Sequence, residues 1–389
     1  MLFAGTVPFF VLAHFSHHLV TALPIPLSPM IRSDLALDYT QTGLVISAFH
    51  LAYGIGQLPG GWLADRIGPR MLITIGISGV ALAGLLVGLS QTYVMLIIFL
   101  GLMGILGGGY HPAAAPLISA SVEPNNRGRA LGFHIIGGSS SHFLSPLIAA
   151  AIAVHWGWRG SFIGLAVPTI IFGIVFYTLL GQRITAKKAE HRTADSHAEA
   201  PPSPGRLRRL VAFIILATFN QAVIYATVAF IPLFLVDHFS VGKETAGAFI
   251  SLVYFSGFFA GPLGGYLSDR LGRVPVILVV CFISGPLIYL LNFIPYGWSM
   301  GALLIAIGMI IFVRMPVSEA YIIGQTSERK RSTILGIYFF SGLEGGGVLT
   351  PVMGLLIDQF GFYSSVTIAG VALVAMTLVC SLWLWGSRD

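Results

Sequence analysis

The chain states one pattern twice, 204 residues apart. Gly61-Trp-Leu-Ala-Asp65-Arg66-Ile-Gly68-Pro-Arg70 returns as Gly265-Tyr-Leu-Ser-Asp269-Arg270-Leu-Gly272-Arg273. The same offset carries Gly43 to Gly247, Ser47 to Ser251, Pro112 to Pro316, Arg127 to Arg331 and Gly132 to Gly336. A constant offset through so many landmarks means two copies of one unit of about 200 residues. Any fold for this chain must be built from two like halves. In a membrane chain, two parallel halves lead us to expect a substrate site where they meet, near the bilayer midplane.

Charged residues make up 9% of the 389, and AVILMFWYC residues 56%. A soluble domain carries roughly a quarter charged residues, so lipid is the solvent here. The net charge of +6 does not point to nucleic acid, because 17 of the 21 Lys/Arg fall on one side of the assigned spans. That asymmetry is the positive-inside bias. Cys281 and Cys380 lie in separate apolar runs and read as packing residues, with no disulfide framework. The N-terminus lacks a basic leader region and reads as a first transmembrane helix.

A helix needs about 20 apolar residues to cross the hydrocarbon core. Twelve candidates satisfy this, at roughly 6–31, 43–63, 71–90, 94–120, 129–153, 160–181, 209–236, 245–267, 275–295, 298–323, 332–356 and 363–386. The polar, Pro-containing stretch 182–208 separates them, which predicts a six-helix bundle over 1–181, a cytoplasmic linker, and a second bundle over 209–389. The basic loops predict an N-in/C-in orientation, with Arg32, Arg159 and Lys243 on the opposite face. Lipid demands internally satisfied backbones, and these runs are too long and apolar for barrel strands, so the fold class is all-α integral membrane.

Twelve spans in a 6+6 parallel repeat, with the doubled G-x-L-A/S-D-R-x-G-R loop, resemble the major facilitator superfamily across the whole chain. Pro69 stands where the motif has an Arg. The resemblance implies a secondary transporter, a monomer in the bacterial inner membrane. It gives Asp65, Arg66, Arg70, Asp269, Arg270 and Arg273 a gating role, as a latch that breaks when the halves rock. Gly61 and Gly265 would let helices approach closely. Drug/proton antiporters of the family carry an Arg twelve residues before the helix-4 Pro; here Pro112 is present and position 100 is Leu100. Their Gly-Pro signature in helix 5 is replaced by Ser145-Pro146. The run Gly107-Gly-Gly-Tyr110-His111-Pro112 is similar to the fosmidomycin-resistance branch, which has a His-Pro in helix 4.

Ionisable residues inside a bilayer are expensive and mark function by default. Arg314 lies mid-span in a helix that the resemblance places on the cavity, and can grip a carboxylate or phosphonate through two parallel hydrogen bonds. Glu344, and secondarily Glu319, are the candidate proton carriers, with Glu344 paired to Arg314 until substrate competes. A permanent Arg314–Glu344 bridge fastening two helices is the structural alternative. The first half carries histidines instead. His14, His17 and His18 share one helix face, with His50, His111, His134 and His142 nearby in the topology. His14, His17, His18 and His111 are candidate substrate contacts, and His17 and His18 also candidate proton carriers. Tyr110, Gln221, Tyr225, Tyr254 and Tyr338 complete the candidate lining.

The histidine spacing invites a metal, but no Cys or acidic partner shares that helix, so no metal and no cofactor are expected. Neither a phosphate-binding loop nor a nucleophile–base constellation is present, which argues against ATP-driven transport and against an enzyme. The residues predict movement of a small organic anion or amphipathic molecule by alternating access, through proton-coupled efflux. Proton-coupled uptake and a non-transporting sensor are the alternatives.

Overall fold

The computed structural model describes residues 7–122, 127–184, 205–326 and 328–385. Among these the secondary structure is helical, with no strand. The first half contains α1 (Val7–Thr21), α2 (Ser28–Leu35), α3 (Tyr39–Ile67), α4 (Pro69–Thr74), a π-helical turn (Ile75–Gly79), α5 (Val80–Leu89), α6 (Tyr93–Gly108), α7 (Tyr110–Ser121) and α8 (Arg127–Ile184). The second contains α9 (Arg206–Ala229), α10 (Ile231–Phe239), α11 (Lys243–Phe255), α12 (Gly257–Leu271), α13 (Arg273–Tyr289), a 3₁₀ turn (Leu290–Asn292), α14 (Trp298–Gln325) and α15 (Glu328–Leu384).

Local chemistry explains the boundaries. Pro24 and Pro26 fall between α1 and α2, where their missing donors interrupt the helix. Asp38 opens α3 through a capping box, accepting from the Gln41 backbone at 2.6 Å while Gln41 Oε1 accepts from the Asp38 backbone at 3.1 Å. The long helices α8 and α15 each join two helices across a break, at Gly157 (φ 66°) and Gly361 (φ 74°).

The sequence repeat is also a backbone repeat. Positive φ recurs at the 204-residue offset in Ala36 and Ser240, in Gly68 and Gly272, and in Gly157 and Gly361. L-residues avoid this region unless the surrounding chain imposes it, so three coincidences reflect one architecture built twice. The halves differ where α6 and α7 are separate helices while α14 runs unbroken past Pro316.

Among the described residues, eight stretches are long and apolar enough to cross a membrane, against the twelve expected from the runs alone. Two of the eight, Phe133–Gly181 and Ile337–Leu384, contain the Gly157 and Gly361 breaks. α1, at 15 residues, and α3, interrupted by His50, Gln57 and Pro59, are not among them.

Contacts divide the chain into one unit of Met1–Glu190 with Ala229–Ser251, and a second of His191–Val228 with Leu252–Asp389. The boundary differs from the sequence-predicted halves because α10 and the start of α11 bond into the first unit. Asp237 accepts from both Arg32 and Tyr39, and the Pro26 carbonyl lies against Gly247. Burial, with the Asp237 hydrogen bond, pushes the Tyr39 phenol above its ordinary value. The second ion pair of this unit joins Arg159 to Asp34 at 2.6 Å, and Arg159 Nε also donates to the Ser90 carbonyl at 2.8 Å.

Backbone approach holds α3 to α6, and both α11 and α12 to α14. A Cβ on Gly104 would meet the Phe49 carbonyl oxygen at 2.3 Å. At the same offset, one on Gly308 would meet the Val253 carbonyl oxygen at 2.0 Å. The expected close approach at Gly265 is not found, since a Cβ there meets nothing within 4 Å. The tight position is its neighbour Gly264, against the Val313 carbonyl oxygen at 2.6 Å. One residue of helix turns the side-chain direction by about 100°, which moves the contact off the motif glycine. Gly308→Ala is therefore expected to destabilise by about 1–3 kcal/mol through overpacking, despite alanine's better helix propensity. Gly265→Ala should leave the melting temperature in detergent unchanged or higher. Equal melting temperatures for the two variants would sink the close-contact argument.

Candidate functional site

Each repeat builds a polar cluster inside its own bundle, at equivalent positions. In the first, α1 supplies His14, His17 and His18. His14 Nδ1–H donates to the His134 carbonyl at 2.7 Å, while His134 Nδ1–H returns a bond to the Phe10 carbonyl at 3.0 Å. This reciprocal pair staples α1 to α8, and the two rings stack at 4.1 Å. Gly138 makes room for it, because a Cβ there would meet the His14 ring at 2.5 Å.

His17 is fully buried. Its Nδ1 reaches the Gly76 carbonyl at 2.6 Å, within the π-helical turn. A π turn shifts bonding to i→i+5 and commonly marks a functional position. His17 Nε2 lies 3.0 Å from the Tyr53 hydroxyl, which donates to it, and the ring stacks on Tyr110 at 4.2 Å and 10°. His18 Nε2 faces His14 Nε2 at 3.1 Å, and its Nδ1 lies 3.2 Å from Thr21 Oγ1. His111 on α7 comes within 5.1 Å of the His14 ring and 5.6 Å of the His18 ring, and His142 packs on His18 at 4.4 Å.

The second cluster centres on Arg314 of α14, which is only 3% exposed. Its guanidinium donates to the Ala217 carbonyl at 3.2 Å, the Tyr338 hydroxyl at 3.0 Å and Gln221 Oε1 at 3.1 Å. All three acceptors are neutral, and Arg314 Nε is buried without a partner. Gly342 admits the Gln221 side chain, as a Cβ there would approach it at 2.8 Å. Beside it, Asn220 Nδ2 donates to Ser284 Oγ at 2.7 Å.

At the 204-residue offset, His17, Tyr110 and His134 correspond to Gln221, Arg314 and Tyr338, and Gly138 to Gly342. The repeat therefore places one scaffold in both halves and fills it differently. Tyr110 and Arg314 occupy the same position, and each keeps an unpartnered buried polar atom, the Tyr110 hydroxyl and Arg314 Nε. Buried orphans of this kind cost about 1–3 kcal/mol each and call for an explanation.

The expected Arg314–Glu344 pairing is not formed. Among the described residues the ion pairs are Arg32–Asp237 and Arg159–Asp34, and Glu344 Oε1 is buried with no partner. Arg314 is turned instead toward α9 and toward Tyr338 of α15, so its link from α14 to α15 is a hydrogen bond to a phenol and not an ion pair to Glu344. Glu319 is half-buried on α14. Tyr225 packs against Gly346, and Tyr254 lies 6.3 Å from the Phe312 ring. His50 lies edge-on to Phe49 at 4.8 Å, within electrostatic reach of His142.

Of the proposed gating residues, the Asp65 and Asp269 side chains lie outside the described residues. Arg66 covers the Trp62 ring at 4.3 Å, and Arg270 the Tyr266 ring at 4.8 Å. Arg70 sits over the Tyr177 ring at 3.7 Å, with its Nε donating to the Tyr177 carbonyl at 2.7 Å, while Arg273 lies against Gly324. The Arg66 and Arg270 contacts lie within one helix each, while Arg70 joins α4 to α8 and Arg273 joins α13 to α14. Sequence reasoning missed Tyr53 and underrated His134 and His142. The signal for His134 was its offset partner Tyr338, already a candidate.

A family model described as Major Facilitator Superfamily matches residues 10–342 and 213–389. A protein of Escherichia coli named "Probable L-galactonate transporter" is 28% identical over 271 residues, which are 66% of this chain and 60% of that protein. Salmonella arizonae "Multidrug resistance protein MdtG" is 28% identical over 345 residues, 85% of this chain and 82% of that one. A crystal structure of a bacterial homolog to the human lysosomal transporter Spinster, inward-facing and occupied, superposes with TM-score 0.76 at 16% identity, covering 97% of this chain and 95% of that chain. A POT family transporter bound to a thioalcohol-conjugated peptide gives TM-score 0.80 at 11% identity, with the same coverage. The chain is an integral, multi-pass membrane protein and belongs to the Major Facilitator Superfamily, whose members are secondary transporters rather than enzymes.

Proposed function

We propose that this transporter moves a small organic anion, or an amphipathic molecule with an anionic group, by alternating access, with protons moving in the opposite direction to drive efflux. One observation carries the reading. Arg314 is buried and permanently charged, its hydrogen bonds among the described residues go to neutral acceptors, and the one carboxylate acting on it electrostatically there, Glu319, forms no ion pair with it. A guanidinium in such a site is stable when dipoles and hydrogen bonds hold it, and it gains most from an anion that completes its fork. Arg314 Nε is the donor left for that anion. Gln221, Tyr338, Tyr225 and Tyr254 orient the substrate in the same bundle.

Proton coupling has two candidate carriers. Glu344 Oε1 is buried with no partner among the described residues, which makes this carboxyl the first candidate. The His14–His18 pair meets nitrogen to nitrogen, and one proton lying between the two rings satisfies both. Glu319, half-buried on the Arg314 helix, and His17 are reserve carriers. The motif residues Asp65, Arg66, Arg70, Asp269, Arg270 and Arg273 act as the cytoplasmic latch, the protein working as a monomer.

The multidrug-resistance relative supports efflux. The relative named for L-galactonate, a sugar acid, favours a second reading: uptake of an organic anion by proton symport. This chain spans 60% of that relative's length.

Arg314→Gln should weaken organic-anion binding roughly thirtyfold or more, the cost of losing one partner of a desolvated charge pair. Arg314→Lys should recover only part of this, because an ammonium lacks the planar fork. Substrate-induced thermal stabilisation in detergent, run over a panel of organic acids and neutral analogues, measures both. Undiminished anion binding in Arg314→Gln would sink the assignment.

Proton flux in proteoliposomes tests the coupling. Substrate-evoked proton movement is expected to fall to background in Glu344→Gln or in His18→Gln, and the variant that loses it identifies the carrier. The sign of the movement in native protein separates antiport from symport. Substrate transport with no proton movement, in native protein and both variants, would overturn the coupled reading.

A further inference from the structure

We infer that His14, His18 and His111 form a site for one divalent transition-metal ion of borderline softness, of the zinc, copper or nickel kind. The three side chains offer ligand atoms that all lie within 4.8 Å of one another. His14 Nε2 and His18 Nε2 stand 3.1 Å apart. Two nitrogens held at zinc–nitrogen bond lengths in a tetrahedron are separated by about 3.3 Å, so this spacing is close to that of a loaded site. The two histidines sit at i and i+4 of α1, the register that puts two imidazoles on one helix face toward one metal.

The surroundings of these rings match an outer coordination shell. A metal-bound imidazole donates its other N–H to an oxygen, which fixes the tautomer and aims the lone pair. His14 Nδ1–H is held by the His134 carbonyl at 2.7 Å. His18 Nδ1 is 3.2 Å from Thr21 Oγ1, and Thr21 passes its own hydrogen to the His17 carbonyl at 3.4 Å. With both rings in this tautomer, two Nε2 lone pairs point at each other. A cation between them turns that repulsion into a bond on each side. His111 arrives from α7 as the third donor, supplying the ligand that α1 itself lacks. Three neutral nitrogens without a carboxylate suit zinc, copper or nickel and disfavour magnesium and calcium. His18 and His111 are only half-buried, which leaves an ion a way in. A fourth position remains for water or an anionic group. The inference stands on α1 and α7 and does not depend on the anion role of Arg314.

The test uses full-length protein in detergent, carrying no polyhistidine tag, with Co²⁺ as the probe. Native protein should take up one equivalent, develop the visible absorption of nitrogen-ligated tetrahedral cobalt, and lose it when Zn²⁺ is added. His111→Gln should abolish the absorption while the protein stays monodisperse, which matters because His14→Ala also cuts the α1–α8 staple. Thr21→Val should weaken Co²⁺ binding about ten- to hundredfold by removing the oxygen behind His18. His155→Ala, at an exposed histidine elsewhere, should change nothing. Absence of Co²⁺ uptake by native protein, or undiminished uptake by His111→Gln, would overturn the site.

Discussion

In lipid, the hydrocarbon around a helix is as apolar as its neighbour, so burying leucine gives little reason for helices to associate. What holds this fold is backbone approach at small residues. The Phe49 carbonyl closes on Gly104, and the Val253 carbonyl closes on Gly308 at the repeat-related position. These contacts fix α6 against α3 and α14 against α11. They thereby set the height and rotation at which Tyr110, His111 and Arg314 are presented. Gly138 and Gly342 do the same one layer further on, admitting the His14 ring and the Gln221 side chain. A side chain larger than hydrogen at any of these places would displace the polar group it serves.

Upon that common frame the halves have taken different chemistry. The first half stacks His17 on Tyr110 and His14 on His134, and an imidazole can change tautomer or charge. The second replaces the central tyrosine by Arg314, which cannot release its proton, and holds it with an amide, a phenol and a backbone carbonyl. A coupled cycle needs both kinds of group: a fixed charge for an anion to meet, and a group whose charge follows the proton. Glu344, the acid that sequence placed beside Arg314, has no ion pair among the described residues. The motif arginines are occupied locally, Arg66 and Arg270 on aromatic rings of their own helices, Arg70 and Arg273 against a neighbouring helix.

The fold was largely legible because its signals are local and repeated. Apolar run length, charge asymmetry and a constant offset are each read along the chain, and the positive-φ pairs at Ala36/Ser240, Gly68/Gly272 and Gly157/Gly361 carry the repeat into the backbone. The residue types of the site were legible for the same reason, since a buried Arg and a run of histidines stand out in an apolar chain. Their partners were not. Tyr53 meets His17 from another helix, His134 reaches back to Phe10, and His111 joins His14 and His18 only through the placement of α7. A helix turns about 100° per residue, so a small change in rotation exchanges one neighbour for another. That rotation is decided by which glycine meets which carbonyl. Sequence alone thus determined the lipid solvent, the doubled unit and the kinds of polar group buried in it. Tertiary structure alone decided which of those groups touch, because contact between helices depends on close packing that no single helix encodes.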